Sequence, residues 1–312
     1  MGDIQLSKTY LVAIWLESVF YGVNLAMFCG CLFVLHVKRR TSRVNRVRVA
    51  VATALFSLSS AHVGLGLPRL IEGFIVLRNT PGGPVAFFSD ESELKNAIQV
   101  GIHTANSIIS NGIMVWRCYC VWNRDCKMCI LPILLAIASA VCGFEYTVEL
   151  ALSKKSPHAF AHTVHVWKKS SLALSLATSL SVTSLIAIRT CYILRVFGQR
   201  SMALQYSKAF IVVVESGMIC ALALGCEITL FFMSSNAFYL VYNPIAQLTA
   251  IVPTTIIILA GLELTSNDLH ARLTDFGEDR SGFENGLESK ASAAIQLDTI
   301  LLPVGDEASD VV

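Results

Sequence analysis

The chain has 312 residues, of which 54% are hydrophobic and only 15% charged. Soluble domains carry roughly 25% charged residues, so the deficit argues against water as the solvent, and a net charge of +2 gives no reason to expect nucleic acid as a partner. The small net value hides a division, because from Thr265 onward ten acidic residues stand against three basic, a tail of −7 behind a body of +9.

Apolar residues fall in long blocks. About 20 of them at ~1.5 Å rise cross the ~30 Å hydrocarbon core, and seven stretches qualify: 11–37, 49–77, 96–122, 128–152, 170–194, 209–233 and 241–264. The sequence predicts an all-α membrane protein, a seven-transmembrane helix bundle over residues 1–264. An acidic, largely disordered tail over 265–312 follows, in which "SNDLHARLTDFG" reads as a short interfacial helix. The lipid bilayer is the first partner this implies.

The opening block exceeds a signal-peptide core in length and reads as a retained membrane helix. Glu17, Tyr21 and Asn24 align on one of its faces. The run "KRRTSRVNRVR" follows, with six basic residues, and the second block carries His62, Arg69 and Glu72. On the third, His103, Asn106, Ser110 and Arg117 share one face at offsets of three, seven and fourteen. Cys118, Cys120, Cys126 and Cys129 crowd its end, but CxC and then CxxC straddle a helix terminus. They read as buried or S-acylated thiols more readily than as a zinc knuckle. All ten cysteines lie in apolar runs or beside their inner ends, so no external disulfide framework is expected.

The fourth block aligns Glu145 and Glu149. The loop after it contains "HAFAHTVH", where His158, His162 and His165 would share a face if helical, a spacing able to take zinc or copper. Four nearby lysines oppose such a cation. The fifth block aligns Ser171, Ser175, Thr178 and Arg189, and the seventh aligns Asn243, Gln247 and Thr254. The sixth holds Glu215 inside "VVVESGMICALALG" and Glu227 about 120° further round the helix.

Orientation follows from Lys and Arg in short loops. Eleven lie on the side of the first loop and seven opposite, four of these seven between Ser153 and Lys169. The bias places the N-terminus outside and the C-terminus in the cytoplasm, in the plasma membrane. With that topology Arg117, Arg189 and Glu215 reach a similar depth near the inner surface. Charges within spans cost roughly 2.5–3.5 kcal/mol on insertion scales and face a partner or water, so the three are expected to form an inner charge cluster. It serves either as packing or as a latch whose opening exposes an inner face. Nearer the outside, Glu17, Tyr21, Asn24, His103, Asn106, Glu145, Glu149, Glu227, Asn243 and Gln247 are candidates for a polar pocket open to a small-molecule or peptide ligand.

Several segments resemble an uncharacterised family of seven-transmembrane, receptor-like integral membrane proteins numerous in basidiomycete fungi. They are "ESVFYG", "NGIMVWRCYCVW", "LALSLATSLSVTSLIAIRT", "VVVESG" and "IVPTTIIILAGL". The likeness covers most of the membrane part and rests on Arg117–Cys118–Tyr119 and on Glu215–Ser216–Gly217. Asn111 and Ser179 depart from it, standing where that family often has aspartate and asparagine. It implies a seven-helix fold with receptor-like architecture.

Three functions compete. A signalling receptor would use an outer pocket, an inner latch and basic loops facing a cytoplasmic partner such as a G protein. A proton- or cation-coupled transporter or channel would use Glu17, Glu145, Glu149 and Glu227, although no internal repeat of the kind common in transporters is present. An intramembrane hydrolase needs a nucleophile with a base or metal. No Gly-x-Ser-x-Gly occurs, and His62 and His103 have no evident carboxylate at their depth, so no enzyme and no cofactor are expected.

Overall fold

The computed structural model describes the backbone of residues 5–37, 43–90, 93–153, 157–197, 201–233 and 235–277, with side chains described except at 37, 43–45, 153, 157–162, 193–197, 201–216 and 259–277. Among these residues every regular element is helical: α1 (Leu6–Val37), α2 (Arg43–Ile71), α3 (Gly83–Ser89), α4 (Leu94–Val121), α5 (Cys126–Ser153), α6 (Pro157–Phe197), α7 (Ser201–Phe232) and α8 (Phe238–Gly277). Five helices contain stretches long and apolar enough to cross a membrane, at Leu6–His36, Arg46–Val76, Cys126–Leu152, Thr163–Tyr192 and Phe238–Ile258, and Gly217–Phe232 of α7 is a shorter apolar helix. This is the architecture of a multi-pass helical membrane protein.

The distribution of side chains fits lipid as the solvent. Trp15, Phe33, Ile75, Leu134, Ile188 and Leu222 are exposed, whereas Glu17, Asn24, His62, Asn106, Glu227 and Gln247 are at most 1% exposed. The long helices pack in a ring, α1 against α2 and α8, and onward through α4, α5, α6 and α7 back to α8. α4 also reaches α6 and α8. A helix enclosed by protein on most sides has no need of an apolar surface, which accounts for the polar residues of α4.

α2 contains Pro68 and ends in a π-helical segment, Glu72–Val76, closed by Leu77 N–H donating to the Glu72 carbonyl at 2.9 Å. Proline leaves one carbonyl of the helix without its amide donor, and a wider turn follows. It turns Gly73 toward α3, where a Cβ would meet Phe88 Cζ at 2.7 Å. α3 itself starts from Gly82 at φ 85° with a proline in its first turn. Phe88 is fully buried and stacks on Tyr10 at 4.6 Å, and the Arg69 guanidinium lies over Tyr10 at 5.4 Å. Arg69 then donates to Glu93 (3.1 Å) and Asn96 (2.7 Å). α3 is a lid on the end of the bundle where α1 begins. At its rim Lys95 pairs with Glu72, and that hydrogen bond raises the Lys95 pKa.

Three features differ from the sequence expectation. α6 begins at Pro157, so the "HAFAHTVH" segment is its first turns, not a loop. α8 runs unbroken to Gly277, across the expected boundary at Leu264 and through "SNDLHARLTDFG". Lys168, counted with the loop lysines, is 6% exposed inside the bundle.

Candidate functional site

The centre of the bundle is a network of polar side chains from α1, α2, α4 and α8. Glu17 lies eleven residues into α1 and His62 nine residues before the end of α2, so antiparallel packing brings them level. His62 Nδ1 is 2.6 Å from Glu17 Oε1, which corrects the expectation that His62 lacks a carboxylate at its depth. The carboxylate accepts, so Nδ1–H donates, and the Gln99 amide beside it donates instead to the His62 carbonyl at 3.4 Å.

From α8, Gln247 Nε2 donates to Glu17 Oε1 (3.3 Å) and to the Ser59 carbonyl (3.2 Å). Asn24 Nδ2 donates to Gln247 Oε1 at 3.1 Å. Deeper along α4, Asn106 Nδ2 faces three acceptors: the Ala246 carbonyl (2.8 Å), Thr249 Oγ1 (2.9 Å) and Ser59 Oγ (3.3 Å). Buried polar groups of this kind are costly unless satisfied, and most here are. The exceptions among the described residues include Glu17 Oε2, His62 Nε2 and His103 Nδ1.

His103 links this network to a second region. Its ring is 6.2 Å from His62 and 4.8 Å from Tyr242, and it lines a cavity of about 40 Å³ with Thr104, Asn111, Ser171, Ser175 and Lys168. That volume suits a few waters or a small ion. Lys168 stands at its edge, with its ammonium over the rings of Phe238 (4.7 Å), Phe231 (5.1 Å) and Tyr146 (5.6 Å). Its charge acts on Glu227, whose two oxygens are buried with no hydrogen-bond partner among the described residues. A smaller cavity of about 20 Å³ under the lid touches Arg69, Gln99 and Asn243.

The structure thus joins Glu17, Asn24 and Gln247 directly and Asn106 to them through Ser59, with His103 adjacent and Asn243 beneath the lid. Tyr21 stands apart, its hydroxyl 3.2 Å from Ser60 Oγ. Glu145 is exposed on α5, and Glu149 is half-buried. The residues not foreseen as site members are His62, Ser59, Gln99, Thr249 and Lys168. His62 and Lys168 were visible as charges within or beside apolar blocks.

Of the inner charge cluster, Arg117 is 4% exposed and lines a cavity between α2, α4 and α8. Arg189 lies over Trp122 (5.5 Å) and Tyr192 (5.7 Å). The Glu215 side chain lies outside the described residues. So do those of His158 and His162, while His165 is exposed on α6 with its ring 6.1 Å from Phe231. Cys118 and Cys129 are buried against Met114, Val182 and Ile186, and Cys126 is exposed.

No family model, curated protein or solved structure matches this chain.

Proposed function

We propose that the chain is a receptor-like seven-transmembrane protein of the plasma membrane, of the fungal type its sequence resembles, with the α3 lid outside and the C-terminus in the cytoplasm. α4 and α7 complete the seven spans. The observation that carries this reading is the position of His103, which stands between the Glu17–His62 network and the cavity lined by α4, α5, α6, α7 and α8. A small polar or cationic ligand that displaces water from the cavity would alter the packing of α4 against both α6 and α8. Arg117, Arg189 and Glu215 sit on α4, α6 and α7 near the other end, where a relative shift of these helices would open a face to a cytoplasmic signalling partner.

The test is a thermal-stability screen of the purified protein in nanodiscs against amines, small polar solutes and peptides. A true ligand raises the unfolding temperature of the wild type and loses that effect in Ser171→Leu, which fills the cavity. If no compound distinguishes the two proteins, the receptor reading fails.

A proton-coupled transporter is the second reading, supported by the buried Glu17–His62 pair and by a Glu227 carboxyl group without hydrogen bonds among the described residues. Proton flux into vesicles holding the wild type, abolished in Glu227→Gln, would favour it.

A further inference from the structure

The cavity beside Arg117 has a different character from the polar core. It measures about 240 Å³, far more than ordered water requires, and lies between α2, α4 and α8. Its apolar wall is built from Val51, Ile109, Ile113 and Ile257, and its charge comes from Arg48 and Arg117. Among the described residues no carboxylate lines it. Arg48 is 2% exposed and Arg117 4%, so both guanidinium groups are withdrawn from solvent. Arg117 Nη1 and Trp116 Nε1 are buried donors with no acceptor among the described residues.

Its position narrows the occupant. Arg48 is five residues from the start of α2 and Arg117 four from the end of α4, which sets both about 6–8 Å inside the helix ends. With the helix ends at the membrane surface, that depth is the boundary between headgroups and acyl chains. The flanking segment from Lys38 to Arg48 carries six basic residues, a pattern that concentrates anionic lipid at a membrane surface. Gly112 of α4 is exposed and opens the cavity sideways, since a Cβ there would meet nothing within 4 Å.

We propose that this cavity binds the phosphate headgroup of an anionic lipid, with Arg117 and Trp116 donating to its oxygens and the acyl chain lying along Ile109, Ile113 and Val51. Guanidinium–phosphate hydrogen bonds are short, charge-assisted and strong where water is excluded. The inference rests on the membrane-spanning reading and is independent of a receptor role.

The experiment uses the full chain in phosphatidylcholine nanodiscs with and without phosphatidic acid, reading thermal unfolding and, by native mass spectrometry, retained lipid. Phosphatidic acid should raise the unfolding temperature and remain bound. Arg117→Gln and Gly112→Leu should each weaken retention roughly tenfold or more. Gly112→Leu blocks the opening while leaving the charges in place, and it improves helix propensity, so it decides the matter even if Arg117→Gln folds poorly. Gly64→Leu, at an equally open and exposed glycine of α2, should retain lipid as the wild type does. Undiminished retention in Gly112→Leu overturns the proposal. So does equal stabilisation by inorganic phosphate alone, which would make this a soluble-anion site. A lipid-independent instability of Arg117→Gln that Glu215→Gln reverses would assign the guanidinium to the α7 carboxylate and overturn it as well.

Discussion

His62 Nδ1 and Glu17 Oε1 stand 2.6 Å apart with both side chains 1% exposed, a hydrogen-bonded pair sealed between α1 and α2. Glu17 also accepts from Gln247 of α8, so one carboxylate ties three helices. Glu17→Ala leaves His62 Nδ1–H without its acceptor and takes one of two acceptors from Gln247 Nε2, and it should cost about 1–3 kcal/mol. Glu17→Gln keeps one acceptor oxygen and should cost less. Unfolding in detergent checks the order, and equal losses would show that the carboxylate's acceptor role is irrelevant.

Asn106 acts as a donor, facing three oxygens with one amide nitrogen. Asn106→Leu should destabilise by about 1 kcal/mol, the net worth of an ordinary hydrogen bond. Asn106→Asp should be worse, because an ionised carboxylate would face the Ala246 carbonyl and be met only if the Thr249 and Ser59 hydroxyls ceased donating to that carbonyl. Thermal unfolding of the two variants side by side measures this, and a milder aspartate would reverse the assignment.

Lys168 and Glu227 are both buried, and the field of the ammonium reaches the carboxyl group although no hydrogen bond joins them. Lys168→Met should lower stability by leaving the carboxylate without its cation. Adding Glu227→Gln to it should recover most of the loss, since removing both partners is far less costly than removing one. A double-mutant cycle reads the coupling, and strict additivity would exclude it.

Close helix contacts depend on two glycines of the bundle wall. A Cβ at Gly217 would lie 2.6 Å from Thr183 Oγ1, and one at Gly143 would lie 2.8 Å from Thr104 Cγ2. Gly217→Ala should therefore destabilise the α6–α7 contact despite its better helix propensity. Thr183→Ala in the same chain should relieve it. Gly225→Ala, where nothing lies within 4 Å, should be stabilising by about 0.5–1 kcal/mol.

Phe88→Ala should loosen α3 without unfolding the bundle, because Phe88 holds the lid through Tyr10 of α1 and Phe74 of the π-helical segment. Removing a buried phenylalanine ring costs about 3–5 kcal/mol, here confined to a short segment. Hydrogen exchange should accelerate over residues 83–89 and remain slow in α4 and α8. Uniform acceleration would show that the lid and the bundle unfold together.

The polar stripes of α1, α4 and α8 were legible because a 3.6-residue period puts Glu17 with Asn24, and Asn243 with Gln247, on single faces. Their partners were not. Whether Glu17 meets His62 depends on the register of antiparallel helices, which one-dimensional spacing does not encode. Periodicity also fails to say which face turns inward, and Glu145 is on the exposed one. Lys168 was misjudged because its charge, beside Lys169, resembles a loop; three aromatic rings drawn from α5, α7 and α8 make its burial tolerable. α3 is seven residues long, too short for any periodic signal.

α8 passes from the polar core to Gly277 as one continuous helix, interrupted only by the proline at 253 in this stretch. The 24 residues beyond that proline extend about 36 Å, more than the thickness of the hydrocarbon layer. Proline is where a helix bends most easily. A pivot of roughly 5° there would carry the far end sideways by about 3 Å at that length. The helix thus sets Gln247 and Gly277 on opposite sides of the residue where it bends most easily, so that a small change of angle at the polar core is magnified at the far end.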